Sequence, residues 1–127
     1  MVESSIQLAH LVAAGRVDAD VLAWLRDGLA RHLAGEPLEQ SLGLDRASRL
    51  RARDRALLRA ADALGPSPST WATAGRLAAA LRRFDTRVRP RLKPDDELPP
   101  LDEALRAAFA CGERVPATQR ALYALLV

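Results

Sequence analysis

Between residues 70 and 88 the apolar side chains Trp71, Ala74, Leu77, Ala78, Leu81, Phe84 and Val88 recur at intervals of three and four. Only an α-helix, with 3.6 residues per turn, gathers such positions onto one face, so the segment reads as a helix packed along one side. The same spacing returns at Val21, Leu22, Leu25, Leu29 and Leu33. It returns again at Ala47, Leu50, Leu57, Leu58, Ala61 and Leu64. Composition agrees: Ala, Leu, Arg, Glu and Lys supply 72 of the 127 residues, against 12 for Val, Ile and Thr together. A chain so rich in helix formers and so poor in strand formers is expected to be all-α.

Glycine, proline and short polar residues divide the helical stretches. Ser4, Ser5, Asp18 and Asp45 stand where N-caps belong, and Gly15, Gly35, Gly65 and Gly112 where helices stop. Helices are therefore expected near 4–14, 18–34, 45–64, 70–88, 102–111 and 117–126. Pro90, Pro94, Pro99 and Pro100 remove backbone donors and predict an extended connector over 89–100. The expectation is one domain over 1–127, a compact bundle of about five or six short-to-medium helices with the proline-rich connector before the last two. A chain of this length buries roughly two thirds of its unfolded surface, enough for its own core.

Charge is segregated along the chain. Residues Arg46 to Lys93 hold thirteen of the nineteen basic side chains and only three acids, Asp54, Asp62 and Asp85. That leaves the middle at +10 within a chain of net +3, so the flanks are acidic. A basic middle points to a polyanion or to an acidic protein surface as partner. A GC-rich gene accounts for much of the arginine content, so position carries more meaning than abundance.

The residues needed for catalysis are sparse. His10 and His32 are the only histidines, each beside apolar stripe positions, and the glycines are scattered as helix stops rather than gathered in a phosphate loop. The single Cys111 excludes an intrachain disulfide and offers no cysteine pair for zinc. No apolar run approaches the roughly 20 residues of a membrane span, and residues 1–14 lack the pattern of a signal peptide. The expectation is a cytoplasmic, non-enzymatic protein with no membrane association, catalytic residue, metal or cofactor. Asp54 falls on the apolar face of its helix, where a bare carboxylate is costly, and is expected to be a buried structural charge neutralised from another helix.

The stretch from Pro37 to Arg53 (PLEQSLGLDRASRLRAR) resembles a helix-turn-helix, with Leu42-Gly43-Leu44 as its turn. That motif places the N-terminal residues of its second helix in the major groove, which would make Arg46, Arg49 and Arg53 the reading edge. Glu39 stands where the motif has a small residue and Arg49 where it has an apolar one. Beyond it, Arg87, Arg89, Arg91 and Lys93 lead into the connector, the last three alternating with Pro90, Leu92 and Pro94 as an arm suited to a nucleic-acid backbone. Trp24, Trp71, Phe84 and Phe109 are expected in the core, which leaves few rings for stacking and favours duplex DNA over single strands. The rival expectation is a protein-interaction or self-associating module, a homo-oligomer or a phage or mobile-element accessory, in which the basic middle meets an acidic surface.

Overall fold

The computed structural model describes residues 4–127, and over them the chain is helical with no strand. The α-helices are α1 (Ser5–Ala13), α2 (Ala19–Leu33), α3 (Leu38–Ser41), α4 (Arg46–Ala63), α5 (Thr70–Arg83), α6 (Pro100–Phe109) and α7 (Gln119–Leu126). Contacts divide the chain into two compact units, one ending at Ala52 and the other spanning Arg53–Val127, with the boundary inside α4.

Local chemistry sets the helix ends. The Ser4 hydroxyl accepts from the backbone N–H of Gln7 while the Gln7 side chain accepts from the backbone of Ser4, a reciprocal box that opens α1. Asp18 accepts from the N–H of Val21 at 2.9 Å to open α2, and Ser69 and Thr118 do the same for α5 and α7. At the start of α4 the Asp45 carboxylate accepts from the Ser48 hydroxyl at 2.6 Å, and this bond holds its pKa below the ordinary carboxylate value. The turn before α4 depends on Gly43, whose φ of +69° lies in the left-handed region.

In the first unit α2 crosses α3 closely at Gly28, where a Cβ would come within 2.3 Å of the Leu42 side chain. Arg31 ties the two helices from the side by donating to the carbonyl of Ser41 at 2.5 Å, and the Trp24 indole donates to the carbonyl of Leu42 at 3.1 Å. The buried apolar residues of this unit are few: Ile6, Leu8 and Val21 among those described. Leu22, Leu29 and Leu33, expected to face inward with Val21, are exposed. The reason is angular: Val21 and Gly28 share the packed side of α2, whereas Leu22, Leu29 and Leu33 lie more than 60° around the helix from both, taking 100° per residue.

The second unit has a denser interior. Leu57, Leu77, Leu81, Phe84, Leu105 and Leu122 are closed off from solvent, with alanines of α4, α5 and α6 between them. The Phe84 and Phe109 rings stack at a centroid distance of 5.7 Å.

The expected extended connector over 89–100 is corrected at its start, as is the regular helix expected to reach residue 88. α5 widens after Arg83 into a π turn, Phe84–Val88, in which the N–H of Arg89 reaches back to the carbonyl of Phe84. A 3-10 turn, Arg89–Arg91, follows, and extended backbone begins only at Leu92. Arg89 keeps α-region torsions, φ −55° and ψ −42°, although a proline follows it; Pro90 cannot donate to the ladder, but its fixed φ suits the opening of a 3-10 turn. The carbonyl of Arg82 accepts from the Thr86 hydroxyl at 2.7 Å.

Candidate interaction surfaces

The basic residues singled out by the sequence meet unequal surroundings. In the first unit Arg46 is exposed at the start of α4, while Arg49 is half-buried with its Nε shut off from solvent. The N-terminus of α4 already carries the ionised Asp45 carboxylate, which would repel a phosphate brought to the same place.

In the second unit Arg53 is turned inward. Its guanidinium donates to Asp54 at 2.7 and 2.9 Å and to the carbonyl of Arg114 at 2.8 Å, which leaves its side chain 18% exposed. Asp54 is the other half of that pair and is 36% exposed. The expected buried charge is therefore a half-solvated one, and its partner is the adjacent residue rather than an arginine of another helix. Pairing with a sequence neighbour turns the carboxylate toward the rim of the α4 face instead of its centre.

Arg89, placed by the sequence in an extended arm, bonds Asp85 at 2.9 Å, one helical turn back. Its guanidinium also lies 4.4 Å from the centre of the Phe109 ring. Arg87, Arg91 and Lys93 are exposed, and the backbone N–H of Lys93 donates to Asp96. Together with Arg82 they form the basic patch at the end of α5, and none of the four side chains makes an ion pair among the described residues.

Other arginines hold the fold. Arg83 bonds Asp102, which is buried at the start of α6. Arg76 gathers the loop after α4, donating to the carbonyls of Leu64 and Pro66 and to the Ser67 hydroxyl at 2.6 to 3.0 Å. Neither role shows in the sequence: Asp102 reads as an ordinary first-turn acid, and Arg76 has no partner at helical spacing.

Aromatic placement also departs from expectation. Trp71 is 49% exposed and meets Tyr123 edge to face at 5.5 Å, so it lies at the surface between α5 and α7 rather than in the core. Residue 71 is only the second of its helix, where α5 is just beginning to pack.

The largest apolar exposure is on α2. Leu22 is 48%, Leu29 47% and Leu33 85% exposed. All three fall within about 40° of one direction on the helix. Leu29 and Leu33, with Ala23, Arg26, Asp27 and Ala30, border an open groove of about 640 Å³. Val17, just before the helix, and Leu38, at the start of α3, are exposed as well.

Cys111 is buried, its thiol donating to the carbonyl of Ala107 at 3.2 Å, and burial pushes its pKa up. Among the described residues no three of His, Cys, Asp and Glu gather as a metal site, and no helix is long and apolar enough to cross a membrane. The fold and surfaces define a small all-α protein. Neither a family model, nor a curated protein, nor a solved structure matches it.

Proposed function

We propose that the protein is a protein-interaction module that engages a partner through the outward face of α2. One observation carries this reading: three leucines stand exposed along a single helix face, in a unit that buries three apolar side chains among its described residues. Isolated exposed leucines are ordinary, but a contiguous strip of them on one face marks a surface that another molecule covers. The arginines give further support, because Arg53, Arg76, Arg83 and Arg89 are engaged within the fold.

A Leu29→Asp, Leu33→Asp double variant tests this. If the face serves a partner, the dilute protein keeps its thermal midpoint within a degree or two, because surface changes of this kind cost under about 0.5 kcal/mol. A fall of ten degrees or more would mean that the leucines support the chain's own fold, and the reading would be wrong.

A second reading rests on the patch of Arg82, Arg87, Arg91 and Lys93, which supports contact with the phosphates of duplex DNA. Gel shifts with random-sequence duplex at two salt concentrations check it. Phosphate contact predicts a log–log slope near −0.9 per phosphate neutralised, and absence of binding at low salt would exclude it.

A further inference from the structure

We infer that Trp71 and Tyr123 stack unpaired bases, so that the nucleic acid this chain takes is single-stranded; this rests on the second reading above and names the form of its polyanion. Duplex DNA is the better fit only while the rings are held in the core. The structure removes that reason: Trp71 is 49% and Tyr123 37% exposed, side by side at the surface. Single-strand binders combine such rings, whose faces accept any base, with cations that follow the backbone.

The pair is set in place by packing at its base. The Gln119 side-chain amide, at the start of α7, donates to the carbonyl of Trp71 at 3.0 Å. Gly75, one turn further along α5, leaves room for that amide, since a Cβ there would come within 2.7 Å of its nitrogen. α7 is thereby fixed against the first turns of α5, and the two rings meet edge to face at 5.5 Å and 72°. Such a contact uses the face of one ring and the edge of the other, so open ring surface remains in a fixed orientation. A preset ring loses little entropy when a base stacks on it.

Charge identifies the occupant. Arg120 is exposed three residues before Tyr123, the spacing that brings two side chains together on one helix face. Arg82 is exposed on α5 three turns beyond Trp71 and within about 20° of it, taking 100° per residue, which places it about 16 Å along the same line. Neither arginine makes an ion pair among the described residues. Beyond Arg82 the cations continue through Arg87 and Arg91 to Lys93. Neither helix sets an acid among them: between Trp71 and Arg82 α5 carries only Ala, Thr, Gly, Arg and Leu, and α7 holds no acid. Rings and cations along one line suit a strand that offers base faces and phosphates together, whereas a duplex hides its base faces in the stack.

In a Trp24→Phe chain Trp71 is the single tryptophan and reports on its own face. Titration with an oligothymidine of about 12 nucleotides, or with the matching oligouridine, should quench its fluorescence as a base stacks on the indole. Trp71→Ala should weaken binding about 5- to 150-fold by fluorescence anisotropy, while Trp71→Phe, which keeps a ring, stays within a few-fold of the parent. Arg120→Ala should make the log–log salt slope shallower by about 0.7, the share of one phosphate on a single strand. Circular dichroism checks that each variant is folded; should Trp71→Ala unfold, the quenching and the Arg120→Ala slope carry the test. Gel shifts that retain duplex while neither single strand binds would overturn this inference and leave the second reading intact. No binding of duplex or single strand at low salt would overturn both. Single-strand binding without quenching, or unchanged in a folded Trp71→Ala chain, would overturn the role of the rings.

Discussion

The unit ending at Ala52 and the unit beginning at Arg53 are both built from amphipathic helices, yet they spend their apolar residues differently. In the second, leucines and phenylalanines from α4, α5, α6 and α7 meet in one interior, with Phe84, Leu77, Leu105 and Leu122 fully enclosed. In the first, α2 carries twice as many large apolar side chains as α5, six against three, but Val21 alone of the large ones is buried and three leucines face outward. A helix that turns its second apolar face to solvent is held by hydrogen bonds at its ends and one close crossing at Gly28, rather than by a core. The lesson is that an apolar stripe reports the need for a cover and leaves open whether the chain itself provides it.

Core truncation tests the comparison most severely. Phe84→Ala in the second unit should cost about 3–5 kcal/mol, read by chemical denaturation, whereas Leu33→Ala in the first should cost under about 0.5 kcal/mol. Similar losses at the two positions would erase the distinction between the units.

Gly43→Ala probes the turn that the first unit depends on. A Cβ there would sit 2.5 Å from the Ser5 hydroxyl oxygen at a φ of +69°, and a loss of about 1–2 kcal/mol is expected. Gly65→Ala, at a φ of +80° with no atom within 4 Å of the added Cβ, isolates the backbone share of that loss.

Asp102→Ala sharpens the account of the second unit, because it removes the buried acid that Arg83 bonds. Arg83 is close to half exposed and regains water, so the loss should be about 1 kcal/mol rather than the larger cost of stranding a fully buried charge.

The smallest effect concerns pH. The folded-state pKa of Asp45 lies below its unfolded value, so its contribution is fully present above the unfolded pKa and is lost as pH falls through the folded one. Thermal midpoints measured from pH 5 down to pH 2 should fall less steeply in Asp45→Asn, which keeps a capping side chain without the charge. An unchanged slope would remove Asp45 as a source of acid sensitivity.

The helical class and most helix positions were legible in the sequence, because capping by Ser4, Asp18 and Ser69 and breaks at Gly15, Gly35 and Gly65 are decided within a few residues. The end of α5 was legible only in part. Pro90 signals a break, but whether the chain then extends or tightens into a turn depends on Asp85 and Phe109 holding Arg89. The basic residues were least legible, since Arg53 and Arg87 look alike along the chain and one is enclosed while the other faces water.

By itself the sequence determined an all-α chain, the order of its helices, their caps and the two faces each one carries. Those features follow from backbone sterics and from hydrogen bonds within a few residues. Tertiary structure alone decided which apolar face is covered and which arginine is free, placing Val21 inside and Leu33 outside, Arg83 against Asp102 and Arg91 in solvent. Burial and ion pairing depend on side chains that meet across helices, and periodicity within one helix does not specify those meetings.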